Sequence, residues 1–251
     1  MTSDIISPAD ARGRPARSGV IVSVQVGQVA PLGPDGVASG FVKSPVTGPV
    51  AVGQLGLAGD TQADLRVHGG PDKAVYLYPA EHYALWRRDL PEHAATLVPG
   101  GFGENLTTVG LDEDAICIGD VLRVGSTLLQ VTQPRQPCFK LALRFADPHL
   151  PRAMQRTGRS GWYARVLEGG LVQNSSPIIV DGRLNPTWPV SRLVRLIARR
   201  SVTLEDMAEL SDLPGLAAHW HRIAAVSLKQ SARQLLRLGT AASSVSNPSS
   251  V

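Results

Sequence analysis

The sequence predicts a mainly β protein with a small helical part near the C-terminus. Short segments with apolar residues at alternate positions recur between residues 19 and 182, separated by glycine and proline. Between residues 190 and 238 the apolar period changes to that of helices. Many short strands with few helices are typical of a β-barrel or a β-sandwich. A chain of 251 residues with 43% hydrophobic residues can bury such a core.

The strands and helices can be placed along the chain from these patterns. Alternation and β-branched residues predict strands at 19–26, 74–78, 121–124, 127–132, 164–167 and 176–180. Gly125 and Ser126 join two of them as a hairpin. Helical periodicity predicts helices at 80–88 and 150–156, then three helices within 190–238, the second capped by Thr203 and the third at 223–238.

The chain therefore divides into a barrel domain (19–182) and a three-helix domain (190–238). Residues 1–18 are polar and without periodicity, and residues 239–251 are rich in serine, so both ends are expected to be disordered. No apolar run approaches the ~20 residues needed to cross a bilayer, and no apolar segment of a secretory signal follows the N-terminal arginines. The two cysteines do not suggest a disulfide framework, so we expect a reducing cytoplasm.

The net charge of +4 is concentrated near the C-terminus, since residues 191–251 hold eight basic and four acidic residues. Such an excess allows contact with nucleic acid or an acidic partner. A solvated helix face explains it equally well, and we regard nucleic-acid binding as the weaker hypothesis. Signatures of serine hydrolases, zinc proteases and phosphate-binding loops are absent from the sequence.

The segment Gln133-Pro134-Arg135-Gln136-Pro137-Cys138 stands out for its chemistry. Its prolines hold the backbone extended after an apolar strand. Neighbouring cations favour thiolate over thiol, and the thiolate is the nucleophile and metal ligand. Free cysteines are also often plain core residues, so two interpretations of Cys138 remain open from this segment.

Three polar, glycine-rich loops interrupt the predicted strands, at 53–73, 99–110 and 133–140. Five basic residues lie in or beside them: Lys43, Arg66, Lys73, Arg135 and Lys140. If the loops gather at one end of the barrel, they form a pocket with cations around a thiolate. Such a pocket suits a large anionic cofactor, because arginine and lysine bind phosphate and thiolate is a soft metal ligand.

Four stretches of the sequence resemble the MOSC-domain family, most closely its YiiM-like branch. They are G-L-A-G-D-T-Q-A-D-L-R-V-H-G-G-P-D-K-A-V (56–75), F-G-E-N-L-T (102–107), C-I-G-D-V-L-R-V-G (117–125) and Q-P-R-Q-P-C-F-K-L (133–141). The resemblance implies a barrel related to that of pyruvate kinase, followed by a small helical domain. It also implies molybdenum cofactor (molybdopterin) as the cofactor, with Cys138 as the molybdenum ligand.

The resemblance further implies an oxidoreductase that reduces N-hydroxylated bases and hydroxylamines, such as 6-hydroxylaminopurine, with electrons from a flavoprotein reductase. Lys43 matches a pocket lysine, and Lys43 or His68 could supply a proton beside Cys138. The expected cofactor-binding residues are Arg135, Asn105, Gly69, Gly70, Lys73 and Glu104. The alternative is a carrier in which Cys138 holds cofactor or a persulfide for delivery. A homodimer and a monomer both remain open.

Overall fold

The computed structural model describes residues 17–65, 69–199 and 202–244 of the chain. Its strands are β1 (Ser18–Val26), β2 (Ala30–Leu32), β3 (Val37–Ser39), β4 (Ser44–Pro45), β5 (Val50–Gly53), β6 (Gly56–Leu57), β7 (Val75–Pro79), β8 (Leu106–Val109), β9 (Val121–Val124), β10 (Thr127–Pro134), β11 (Trp162–Glu168), β12 (Gly170–Val172) and β13 (Pro177–Gly182). The helices are α1 (Glu81–Asp89), α2 (Phe139–Phe145), α3 (Leu150–Thr157), α4 (Val190–Arg199), α5 (Leu204–Asp212) and α6 (Ala218–Ser244).

Seven strands close into a barrel in the order β1-β8-β7-β11-β10-β9-β13, and β13 pairs back with β1. Neighbouring strands are antiparallel except β7 and β8, which run parallel. Closure leaves no long unpaired edge on the main sheet. The predicted mainly β fold is confirmed, and it is a barrel rather than a sandwich.

The alternation along β7 separates two apolar clusters. Val75 and Leu77 face the barrel interior, whereas Tyr76 and Tyr78 face outward. The outward cluster lies under α1, α2 and α3 and is largely aromatic. Strand β7 therefore serves both cores, and its outward face adjoins the loops that carry polar residues.

The C-terminal helices pack on the barrel and extend its core. Leu193 of α4, Leu210 of α5 and Leu216 belong to the same buried cluster as the barrel interior. Among the described residues, no helix is both long and apolar enough to span a bilayer.

The helices differ from the prediction in two places. The third C-terminal helix runs from Ala218 to Ser244, whereas the sequence pattern predicted 223–238. Alanines at 241 and 242 have the highest helix propensity, which the composition argument neglected. Helix α2 was not predicted, because its few residues follow a proline-rich segment directly. Residues 1–16 and 245–251 lie outside the described residues.

Candidate functional site

One cleft lies where the three glycine-rich loops meet, with about 540 Å³ of empty space that includes its opening to solvent. It is lined by side chains from each loop, from the segment around Phe41, and from strands β7 and β11 of the barrel. The lining residues are Ser39, Gly40, Phe41, Lys43, Asp60, Gln62, Ala63, Lys73, Tyr76, Phe102, Gly103, Asn105, Arg135, Lys140 and Tyr163. The fold thus brings together four of the five basic residues that the sequence marked.

Arg135 is a buried cation at the wall of this cleft, with 5% of the residue exposed. Its guanidinium lies 5.5 Å from the ring centre of Phe41 and 5.8 Å from that of Tyr76. Nη1 donates to the carbonyl of Gln136 at 3.0 Å. No carboxylate of the described residues forms an ion pair with it, although buried charges are normally paired. The cleft therefore holds a positive charge that an anionic ligand would neutralise.

Cys138 lies beside this guanidinium. Arg135 Nη2 is 3.9 Å from the Cys138 Sγ, and the residue sits between the end of β10 and the first turn of α2 in an extended conformation. Cys138 is half-buried, whereas Cys117 is buried with 2% exposure. Cys138 is not among the residues that line the cleft, but its thiol contacts the guanidinium of Arg135, which does line it. Of the two interpretations left open by the sequence, this contact favours a thiol beside the cleft over a plain core cysteine.

Lys43 and Asp60 form a buried ion pair in the cleft, with 6% and 1% of their side chains exposed. Asp60 also accepts hydrogen bonds from the Gly27 backbone at 2.8 Å and from Asn105 Nδ2 at 2.9 Å. Asn105 Oδ1 in turn accepts from the Tyr76 backbone at 3.1 Å. Burial lowers the pKa of Lys43, and the charge of Asp60 only partly offsets this effect. An ammonium with a lowered pKa gives up its proton more readily.

Lys73 lines the cleft from the short 3-10 turn Pro71–Lys73. Burial lowers its pKa, and the nearby charge of Arg135 adds to the effect. Gly69 and Gly70, predicted to bind the cofactor, are not among the lining residues. Gly70 has φ 89° and precedes the turn, so its contribution is to the path of the backbone that presents Lys73.

Glu104, expected to bind the cofactor, is not among the residues that line the cleft. Its carboxylate is fully buried and accepts hydrogen bonds from the backbone of Gly100 at 2.7 Å and of Phe102 at 3.2 Å. The hydroxyls of Tyr83 and Thr107 donate to it at 2.6 and 2.8 Å. Burial raises its pKa despite these bonds. Glu104 therefore organises its own loop, which in turn places Asn105 and Phe102.

Two residues that the sequence marked, Arg66 and His68, lie outside the described residues. Asp60, Tyr76 and Tyr163 line the cleft but were not predicted as site residues. A signal for Tyr76 was present, because tyrosine alternates with aliphatic residues next to the glycine-rich loop. Asp60 lies in the marked loop 53–73, but no local pattern shows that it faces the cleft, and no pattern marks Tyr163.

The barrel and the cationic cleft beside a cysteine are those of a MOSC-domain protein. The chain belongs to the MOSC-domain family, in its YiiM-like branch. The MOSC domain is matched over residues 64–178. This family is associated with binding of molybdenum cofactor.

Relatives support this assignment over most of the chain. The chain is 42% identical to Protein YiiM of Escherichia coli (strain K12) over 201 residues, which cover 80% of this chain and 89% of that protein. It is 36% identical to a protein named Reductase of Gibberella moniliformis over 85% of this chain but 38% of that protein. The crystal structure of YiiM from Geobacillus stearothermophilus superposes with a TM-score of 0.71 at 34% identity, covering 84% of this chain and 99% of that one.

Proposed function

We propose that this chain is a molybdenum-cofactor-dependent reductase that converts N-hydroxylated bases and related hydroxylamines into amines. The observation that carries the proposal is the thiol of Cys138 beside the buried guanidinium of Arg135, at a cleft lined by three lysines. A relative named Reductase supports a reductive chemistry. The association of the MOSC-domain family with molybdenum cofactor supports cofactor binding by this chain.

The residues of the cleft fit the chemistry of this cofactor. Thiolate is a soft ligand suited to a transition metal, and Cys138 would hold the molybdenum. Arg135, Lys73 and Lys140 would hold its anionic part, because guanidinium and ammonium groups bind phosphate. The buried charge of Arg135, which forms no ion pair with a carboxylate of the described residues, gives such an anion a place to bind. Asn105 would help to shape the floor beside Lys43.

The reaction R–NHOH + 2e⁻ + 2H⁺ → R–NH2 + H2O needs an electron source and a proton source. The bound cofactor would supply the two electrons. Lys43 Nζ holds a proton inside the cleft, and Asp60 orients that ammonium. Lys43 would therefore protonate the leaving oxygen, because hydroxide is a poor leaving group without a proton. An electron-donating flavoprotein reductase completes the proposal.

The test compares Cys138→Ser with the matched control Cys117→Ala, since Cys117 is the other cysteine and is buried away from the cleft. Purified protein carrying cofactor is assayed for reduction of 6-hydroxylaminopurine with a reduced viologen as donor. We expect turnover in wild type and in Cys117→Ala, and none in Cys138→Ser. Full turnover by Cys138→Ser would reject the role of the thiol.

The same preparations separate the enzyme from a carrier. A carrier would show either a persulfide on Cys138 by mass spectrometry or bound cofactor, and in both cases no turnover of any hydroxylamine. Turnover with an artificial donor would instead establish that the chain itself performs the reduction.

A further inference from the structure

The start of α6 lies against two of the loops that form the cleft. We call residues 216–220 the α6 junction. It begins at the last residue of the Leu213–Leu216 turn. It contacts both the glycine-rich loop that carries Lys73 and the end of β10 that leads to Cys138. No part of the junction lines the cleft.

On the glycine-rich side the contact is through Asp72, the neighbour of Lys73. The Ala218 backbone N–H donates to Asp72 Oδ2 at 3.0 Å. Asp72 Oδ1 pairs with Arg165 of β11 at 2.8 Å, and Arg165 also donates to the carbonyl of Leu216 at 3.3 Å. The carboxylate of Asp72 therefore joins the barrel, the 3-10 turn and the junction at one point.

On the other side the contacts are with β10. The Ala217 backbone N–H donates to the carbonyl of Thr132 at 3.1 Å. Trp220 Nε1 donates to Gln133 Oε1 at 3.1 Å. Gln133 is buried, and among the described residues its Nε2 has no hydrogen-bond partner. Within that part of the chain, Trp220 provides the one hydrogen bond to the Gln133 side chain. Gln133 stands two residues before Arg135.

Thr132 contacts both the 3-10 turn and the junction. Its hydroxyl donates to the carbonyl of Asp72 at 2.6 Å while its own carbonyl accepts from the junction. A shift of the junction would therefore move the turn of Lys73 and the start of the Cys138 loop at once.

We propose that the α6 junction is a positioning element of the cleft, in which Asp72 and Trp220 set the places of Lys73 and of the Arg135–Cys138 loop. The C-terminal helices are then part of the functional site, through contacts with the residues that form it. The inference deepens the proposed function but does not require the reaction, because it concerns the thiol environment of the protein without cofactor.

The test uses Trp220→Phe, which keeps a large ring but removes the indole donor. The full chain is purified without cofactor in a Cys117→Ala background, so that Cys138 alone reports its alkylation rate by iodoacetamide between pH 5 and 10. Thiolate is the reactive form and nearby cations favour it. We expect alkylation at pH 7 to slow by roughly threefold to tenfold, because a guanidinium displaced from the thiol no longer favours the thiolate.

The matched control is Trp188→Phe, because Trp188 also donates its indole N–H to a side chain, that of Glu209, in the helical part. It should leave the alkylation profile unchanged, with circular dichroism showing that both variants are folded. Asp72→Asn provides a second test from the other loop and should also slow alkylation. Profiles of Trp220→Phe and Asp72→Asn that match wild type would overturn the inference, whatever the fate of the proposed reductase.

Discussion

Replacing Lys43 by Met tests the buried ion pair on which the geometry of the cleft depends. Both partners are almost fully buried, and removing one partner of such a pair costs about 3–5 kcal/mol because the other charge remains without its counter-ion. Asp60 keeps hydrogen bonds from Gly27, Gln62 and Asn105. We therefore expect a loss near the lower limit, about 3 kcal/mol, which corresponds to a fall of roughly 6–12 °C in Tm for a chain of this size.

Urea unfolding of the cofactor-free protein measures this loss. The double variant Lys43→Met with Asp60→Asn removes both charges, so it should recover more than half of the stability lost in Lys43→Met. The control is Arg123→Met, which breaks the half-exposed pair with Asp181 and should cost less than about 1 kcal/mol. Equal losses in Lys43→Met and Arg123→Met would refute the argument that burial makes the cleft pair different.

Three further predictions concern the pH dependence and the loops. In Asp60→Asn the pKa of Lys43 should fall further, since Asp60 raises it; the alkaline limb of kcat should move to lower pH, and an unmoved limb would exclude Lys43 as the proton donor. Glu104→Ala leaves buried donors without an acceptor and should cost at least about 3 kcal/mol in thermal unfolding; a loss below about 1 kcal/mol would contradict the role given to that carboxylate. Gly161→Ala places a Cβ 2.3 Å from the Leu77 carbonyl at a residue with φ 63°, so soluble folded protein should decrease sharply, and wild-type yield and Tm would count against it.

Local sequence patterns predicted six of the seven barrel strands, whereas β8 (Leu106–Val109) was assigned to the glycine-rich loop 99–110. Alternation along β1 and β7 is a local signal, and the hairpin at Gly125 follows from turn chemistry. The helical period near the C-terminus is equally local. The length of α6 was underestimated, because serine and glycine were weighed without the alanines between them.

The candidate site was predicted less completely, because its contacts join distant positions. Asp60 meets Gly27 and Asn105 across 33 and 45 positions of the chain, and no motif records such a meeting. The F-G-E-N motif placed Glu104 among the expected cofactor-binding residues, but it did not show that the side chain accepts hydrogen bonds from the backbone of its own loop. Motif positions thus indicated where the site lies, and the long-range hydrogen bonds determined which residues face it.

The most direct test of the central claim is the molybdenum content of freshly purified protein. Wild type, Cys117→Ala and Cys138→Ser are expressed in separate parallel cultures of a host that makes the cofactor. Elemental analysis then compares the molybdenum content of the three proteins. The account predicts stoichiometric molybdenum in wild type and Cys117→Ala and a large loss in Cys138→Ser. Equal molybdenum in Cys138→Ser, or none in folded wild type, would contradict it.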